Sequence, residues 1–406
     1  MQESGSKNVS IIVIVAALGY FVDIYDLILF SIVRISSLKS LGIEGDSLLS
    51  SGVMLLNMQM AGMLLGGILW GILGDKRGRI SVLFGSIILY SIANILNGMV
   101  TDVTQYAVLR VIAGIGLAGE LGAGITLVSE VMSKESRGYG TTIVASIGIL
   151  GAVVAALVAD YFEWRTAYYV GGGLGLLLLF LRIGVYESGM FKNIKMTEVG
   201  KGQFQHLFTS WSRFTKYVKC IFIGAPLWFV VGILMTFSDA FAKQLGVEGI
   251  TPAKSVMFCY IGLAMGDLLS GYLSQYFKSR KKIIFTFILA TNILIVVYLF
   301  LNHYGSFYFY SVCTALGITC GYWAVFVTNA SEQFGTNLRA TVTTTVPNFV
   351  RGAVVPLTLL FQYLKTPVGI LYSAAIVAGI ALVLAYISAV KLEETYGKDL
   401  DYIEMI

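Results

Sequence analysis

Twelve apolar runs dominate this chain, and each is about as long as a helix must be to cross a bilayer. They fall near residues 9–34, 48–72, 80–99, 103–131, 139–161 and 166–186, then near 217–243, 252–277, 282–301, 306–331, 341–363 and 367–390. Crossing ~30 Å of hydrocarbon takes ~20 apolar residues at 1.5 Å of rise each. Composition agrees, because charged residues make up 13% and apolar residues 57% of the 406 positions. Soluble domains carry ~25% charge, so too little polar surface remains to solvate a water-soluble fold. The expected fold class is an all-α membrane protein of twelve transmembrane helices. The start of the chain, Lys7 followed by Val9 to Leu18, imitates a leader peptide. Its apolar run continues past Asp23 and Asp26 to Val33 with no small-residue cleavage site, so it reads as an uncleaved first span.

The net charge of +5 is unevenly placed. About nineteen of the 28 Lys and Arg residues fall on one set of alternate loops and six on the other. That is the positive-inside asymmetry rather than a footprint for phosphates, so nucleic acid is not an expected partner. The polar stretch Glu187 to Lys219 holds six Lys and Arg residues and reads as a cytoplasmic segment. The domain division is therefore 1–186 as a first six-helix bundle, 187–216 as a linker, and 217–406 as a second six-helix bundle with a short tail. Both termini are expected inside. The halves repeat: Ser129-Glu130 and Arg137-Gly138 are matched by Ser331-Glu332 and Arg339-Ala340, 202 residues on. Gly71-Ile72-Leu73 is matched by Gly271-Tyr272-Leu273, 200 residues on. A parallel repeat of this kind places a substrate site between two bundles that rock against each other.

Six charges lie well inside the runs: Asp23, Asp26, Arg110, Glu120, Asp267 and Arg351. A charge at a helix centre costs ~2.5–3.5 kcal/mol on insertion scales, so each should face the interior and find a partner. Asp23 and Asp26 are three residues apart and share one helix face. Like charges there favour holding a proton, so both are candidate proton-coupling residues, with pairing to Arg110 as the plainer alternative. Arg110 is also a candidate fork for a substrate carboxylate. Glu120, flanked by Gly116, Gly119 and Gly122, reads as a packed protonated acid and as the next candidate for proton coupling. Arg351 sits between Pro347 and Pro356 and reads as a cavity residue that meets a substrate carboxylate, with pairing to Asp267 or Asp239 as the alternative. Asp267 and Asp26 join it as candidate substrate ligands. Trp228 and Trp323 are read as core packing or as walls of the substrate site. The four cysteines lie in apolar runs and read as buried thiols. His206 and His303 both fall in predicted loops, so neither a metal site nor a cofactor is expected.

The segment Gly71-Ile72-Leu73-Gly74-Asp75-Lys76-Arg77-Gly78-Arg79 makes a tight basic turn that contains one unexplained acid. It resembles the signature of the major facilitator superfamily between its second and third spans. That resemblance implies a cytoplasmic gate in which Gly71, Asp75, Arg77 and Arg79 latch the halves near the eleventh helix. Glu130 with Arg137, and Glu332 with Arg339, are expected as ion pairs at the same level. Gly19-Tyr20-Phe21-Val22-Asp23-Ile24-Tyr25-Asp26 and Arg110-Val111-Ile112-Ala113-Gly114-Ile115-Gly116-Leu117-Ala118-Gly119-Glu120 are similar to the first- and fourth-span patterns of the metabolite–proton symporters. Glu163-Trp164-Arg165, Phe334-Gly335-Thr336-Asn337-Leu338-Arg339 and Glu394-Thr395-Tyr396-Gly397 extend the likeness, which also reaches the intraphagosomal amino-acid transporters. Gly189 and Gly335 stand where a proline is usual, and Asp23 where a glutamate is common.

The resemblance implies a major facilitator fold in a bacterial cytoplasmic membrane, working as a monomer without cofactors. It implies proton-coupled import of a small carboxylate-bearing or zwitterionic metabolite by alternating access. A proton-coupled exporter of drugs or metabolites is the alternative. Drug antiporters usually carry Gly-Pro in the fifth span, and Gly148-Ile149-Leu150-Gly151 has no proline. No G-x-x-x-x-G-K-[ST] loop occurs, so ATP is not the driver, and no catalytic constellation points to an enzyme. The orientation is testable by labelling. In a background lacking the four native cysteines, Gly45→Cys and Gly305→Cys should react with an impermeant reagent from outside, and Gly78→Cys and Gly202→Cys should not. The reverse pattern would overturn it.

Overall fold

The apolar runs are helices in the computed structural model of the protein, which describes residues 2–45, 47–77, 79–120, 122, 137–187, 204–300, 302 and 305–398. Among the described residues there is no strand. The first four spans are Gln2–Ser40, Ser47–Arg77, Arg79–Asn97 and Val103–Leu117. The fifth is Arg137–Ile149 continued by Gly151–Tyr161, and the sixth is Trp164–Glu187. In the second half the seventh span is Trp211–Phe229, a π-helical stretch Val230–Met235, and Ser238–Gln244. The eighth and ninth are Pro252–Tyr276 and Arg280–Leu299. The tenth is split into Ser306–Cys320 and Trp323–Glu332. The eleventh starts as Thr336–Gly352 and runs into Val354–Lys391, a helix broken at Gly369 (φ 81°) whose second part is the twelfth span. The seventh span begins six residues before its apolar run, because an amphipathic turn held by Arg213 to Thr209 (3.0 Å) precedes the lipid-length segment.

Polar residues before the runs start the helices. Asp102 accepts from Gln105 N at 2.9 Å, Thr251 from Lys254 N at 3.4 Å, and Ser279 from Lys282 N at 3.1 Å. Each satisfies an amide that the first helical turn leaves unpaired. Pro252 follows Thr251 at the first helical position, where its missing N–H costs nothing.

Within each bundle, glycine lets two helices touch backbone to backbone, and the seam is built twice. A Cβ on Gly62 would lie 2.3 Å from the carbonyl oxygen of Val111, and one on Gly66 would lie 2.5 Å from that of Ile115. In return, Gly114 on the fourth span meets the Gln59 carbonyl at 2.1 Å. In the second half, Gly262 faces Thr314 O at 2.1 Å, Gly266 faces Ile318 O at 2.1 Å, and Gly317 faces Cys259 O at 1.9 Å. The offsets are 200 residues for the second and eighth spans and 203 for the fourth and tenth. The sequence repeat is thus a repeat of contacts, the small-residue packing that drives helix association in lipid.

Among the described residues, the seventh and tenth spans of the second half are broken. Pro226 removes a backbone donor and its ring crowds the Phe222 carbonyl, and the π-helical stretch begins four residues later. The tenth span unwinds at Gly321-Tyr322, where Gly321 abuts the backbone of Gly266 and Asp267. These breaks flank Trp228 and Trp323. Gly62→Ala and Gly262→Ala should each destabilise the fold by about 1–3 kcal/mol, the range for overpacking. Gly379→Ala, where nothing lies within 4 Å of the added carbon, is the control. Thermal unfolding in detergent is the measurement, and equal midpoints for all three would refute the seam.

Candidate functional site

Two buried charges from opposite halves meet between the bundles. Asp23 on the first span and Arg351 on the eleventh are 3.8 Å apart, from Oδ2 to Nη2. They are 0% and 1% exposed. The guanidinium carbon lies 5.8 Å from the ring of Trp228 and 5.8 Å from that of Trp323. The two indoles form a T-shaped pair at 6.5 Å. Arg351 Nη1 reaches Asn348 Oδ1 at 3.5 Å, one turn earlier on its own helix. Its Nε and Nη2, both oxygens of Asp23 and both indole N–H groups have no hydrogen-bond partner among the described residues. Bidentate Arg–carboxylate pairs close at ~2.7–2.9 Å, so this one is slack. Buried ions need their remaining donors and acceptors met, so the arrangement has room in its bonding for a second planar acceptor or for water.

Asp23 thus meets Arg351, which displaces the alternatives of Asp23 with Arg110 and of Arg351 with Asp267 or Asp239. Arg110 donates to Gln59 Oε1 and to Tyr168 Oη (3.3 Å), and lies 5.2 Å from the ring of Phe30. It is enclosed within the first bundle, away from the inter-half site to which it had been assigned as a substrate ligand. Asp267 accepts from Ala324 N at 3.0 Å. It caps the second part of the broken tenth span and so positions Trp323 instead of facing Arg351. Glu120, expected as a packed protonated acid, forms a two-bond pair with Arg182, one contact at 3.0 Å, packed against Gly19. Asp26 points into the first bundle, where a Cβ on Gly171 would touch its Oδ1. Both its oxygens lack a hydrogen-bond partner among the described residues.

Contacts between the halves close the site on both sides along the chain axis. Toward the end that carries Gly71, Asn348 Nδ2 donates to Ala118 O at 2.8 Å, and a Cβ on Gly71 would lie 3.7 Å from Thr345 Cγ2. Toward the other end, Thr358 donates to Asn57 (2.6 Å) and Thr236 to Ser31 (3.0 Å). There Arg34, 1% exposed, donates to Asp239 across the interface and lies 4.9 Å from the ring of Phe237. Asp239, considered from sequence as a partner for Arg351, thus pairs with Arg34, which the run pattern does not single out. The only available signal was a buried-length run that ends in an arginine.

Of the expected gate residues, Glu130 and the side chains of Asp75, Arg77, Arg79 and Arg137 lie outside the described residues. Glu332 makes its ion pair with Arg280 of the ninth span at 3.6 Å and accepts from Thr395 at 2.7 Å, in place of the expected pairing with Arg339. Arg339 Nη2 approaches Phe334 O at 3.4 Å. Glu394 accepts from Ser279 Oγ and from the backbone N–H groups of Arg280 (2.9 Å) and Lys281 (3.2 Å), capping the ninth span. Burial alone would raise its pKa, but the hydrogen bonds from Ser279, Tyr396 N, Arg280 N and Lys281 N outweigh this and hold it below the usual carboxylate value. The Glu394-Thr395-Tyr396 motif is therefore a clasp within the second half. Glu163-Trp164-Arg165 plays the like part in the first, with Arg165 donating to Val100 O at 3.1 Å and covering Trp164 at 4.2 Å.

Comparison with known proteins gives the family and the fold. The family model for the Major Facilitator Superfamily matches residues 10–357. The chain is 25% identical over 355 residues to a putative niacin/nicotinamide transporter, NiaP, of Bacillus subtilis (strain 168), covering 83% of this chain and 84% of the relative. It is 25% identical over 362 residues to a cis,cis-muconate transport protein of Acinetobacter baylyi, covering 83% of each. It is 24% identical over 307 residues to a benzoate transport protein of the same organism, covering 66% of this chain and 65% of the relative. In fold it is similar to the proton:xylose symporter XylE bound to 6-bromo-6-deoxy-D-glucose, with a TM-score of 0.74, 16% identity and 98% of each chain covered.

The Arg34–Asp239 pair yields a prediction about closure. Asp239→Asn leaves a buried cation unpaired and should favour separation of the halves at that end. In a cysteine-free background carrying Thr236→Cys, labelling should speed up by about ten-fold, the change that ~1.4 kcal/mol produces. The swap Arg34→Asp with Asp239→Arg should restore slow labelling. Unchanged labelling in Asp239→Asn would show that the pair holds nothing shut.

Proposed function

The chain belongs to the major facilitator superfamily and is a multi-pass membrane transporter of small metabolites, not an enzyme; on that premise, we propose that it imports a planar carboxylate together with a proton. The observation that carries this reading is the slack Asp23–Arg351 pair between two indole rings. A guanidinium fork with open donors suits a carboxylate. Two indole faces suit a flat, unsaturated body, and the indole N–H groups can take a ring nitrogen or a second carboxylate. Relatives are named for transport of niacin or nicotinamide, of benzoate and of cis,cis-muconate, and niacin, benzoate and muconate are flat unsaturated acids.

Coupling follows from charge. With the site empty of substrate, Asp23 faces Arg351, and Asp26, with no cation in contact, holds a proton. A substrate carboxylate that takes Arg351 strands Asp23 in a buried position, where an unpaired carboxylate is costly. Asp23 then takes up one proton, so substrate and proton enter together. One proton entering with one carboxylate moves no net charge, so the proton concentration gradient, and not the membrane potential, drives accumulation. Alternating access has the halves part at the Arg34–Asp239 end, then at the Gly71 end. In the proposed orientation the latter is cytoplasmic, both termini are inside, and the protein sits in a bacterial cytoplasmic membrane as a monomer. Asp75, Arg77, Arg79, Glu130 and Arg137 complete the cytoplasmic gate in this reading.

In proteoliposomes with an inward proton gradient, wild type should accumulate at least one of nicotinate, benzoate and cis,cis-muconate, and should discriminate against the matching amide. Arg351→Lys keeps the charge but loses the fork. It should weaken affinity for the acid by ~1–3 kcal/mol while leaving the weak affinity for the amide nearly unchanged. Asp23→Asn should lose uphill accumulation yet retain exchange of internal for external acid. Equal handling of acid and amide by the wild type would overturn the carboxylate reading.

A further inference from the structure

The first bundle contains a second line of buried polar groups that the inter-half site does not use. Tyr90, Ser91 and Asn94 lie on the third span, and all three are 0% exposed. Tyr90 Oη, Ser91 Oγ, and both Nδ2 and Oδ1 of Asn94 have no hydrogen-bond partner among the described residues, and neither has either oxygen of Asp26. These orphaned atoms share one place in the fold. A Cβ on Gly171 of the sixth span would lie 2.1 Å from Asp26 Oδ1. One on Gly175, a helical turn further along, would lie 2.1 Å from Ser91 Oγ and 3.0 Å from the Tyr90 ring. Asn94 faces Asp26 without closing a hydrogen bond. Tyr90 lies within electrostatic reach of both Asp26 and Glu120. Arg182 is on the same face of the sixth span as Gly171 and Gly175, two turns beyond Gly175, and holds Glu120. From Gly171 to Arg182 is about 16 Å at 1.5 Å of rise per residue.

Buried polar atoms are normally satisfied, and where protein supplies no partner, ordered water does. Six orphaned atoms, four on one face of the third span and two on Asp26 of the first, gather where sixth-span glycines let these side chains approach the helix, and such a cluster is a place for ordered water. Charged groups bound it on every side: Asp23 on the first span, Arg110 and Glu120 on the fourth, and Arg182 on the sixth. We propose that Tyr90, Ser91 and Asn94 hold a chain of water inside the first bundle that carries protons between Asp26 and the Glu120–Arg182 pair, apart from the path of the substrate. The inference rests on the reading that Asp26 holds a proton. The transfer is a relay. The Asp26 carboxyl gives its proton to the adjacent water, each water accepts one proton and passes one on, and the Glu120 carboxylate receives the last. The proton on Asp23 then replaces the one lost from Asp26. Substrate moves between the halves, and the proton leaves through one of them.

The test needs no substrate. The infrared band of the protonated Asp26 carboxyl, identified by its loss in Asp26→Asn, is followed after a pH jump in detergent. Wild type should show a fast change. Tyr90→Phe, which removes one hydroxyl, and the pair Ser91→Val with Asn94→Leu should each slow it by about ten-fold or more, as loss of a proton-relay group does. Near-ultraviolet circular dichroism identical to wild type certifies the fold of each variant, and Tyr90→Phe alone suffices if the double variant fails to fold. Unchanged rates in the variants, with the band present in wild type, would overturn the water chain and leave Asp26 as proton holder. Absence of any band sensitive to Asp26→Asn would overturn the reading of Asp26 and the chain with it.

Discussion

A guanidinium sealed inside a membrane protein must face an anion in every state it occupies, and Arg351 finds its anion on the opposite half of the molecule. Most of the architecture around it serves that demand. The first span brings Asp23 across the interface, and the broken tenth span, capped by Asp267, turns Trp323 toward the same cation. The seventh span departs from α-helical geometry just after Trp228. Because the partner belongs to the other bundle, replacing it by a substrate anion is also a change in what holds the bundles together. In the proposed mechanism binding and rocking are therefore one event.

The bundles themselves are stiff where the interface is adjustable. Glycine seams bring the second span against the fourth and the eighth against the tenth with backbone contact, and the two seams superpose residue for residue along the chain. Ion pairs within a bundle, Glu120 with Arg182 and Glu332 with Arg280, add polar anchoring away from the central site. The polar contacts between bundles are single bonds or pairs, Asn348 to Ala118, Thr358 to Asn57, and Arg34 to Asp239, set within close helix packing such as Gly352 against Leu64. Polar links of that size are the ones that the proposed alternation of access would exchange.

The spans, the repeat and the burial of Asp23 and Arg351 were legible in the sequence, since lipid thickness sets run length and a charge inside a run stands out. Partners were not legible. Sequence distance made Arg110 the natural mate of Asp23, whereas Gln59, a neutral residue on the second span, satisfies Arg110. Arg182 and Arg34 escaped notice because they sit near run ends, where an arginine usually snorkels to water. Asp267 was flagged as a charge, but its role as a cap depends on an unwound turn at Gly321-Tyr322 that no periodicity announces. The gating acids and bases near Asp75 and Glu130 remain expectations from resemblance.

The central claim is that the substrate's carboxylate replaces Asp23 at Arg351 and that the displaced Asp23 is neutralised by a proton. The most direct measurement is proton uptake on binding, by calorimetry in buffers of different ionisation enthalpy, using a planar acid that the purified protein transports. The account predicts one proton taken up per acid bound by the wild type, and none by Asp23→Asn, whose amide has no charge to neutralise. Binding of the acid to wild type with no proton uptake would contradict it.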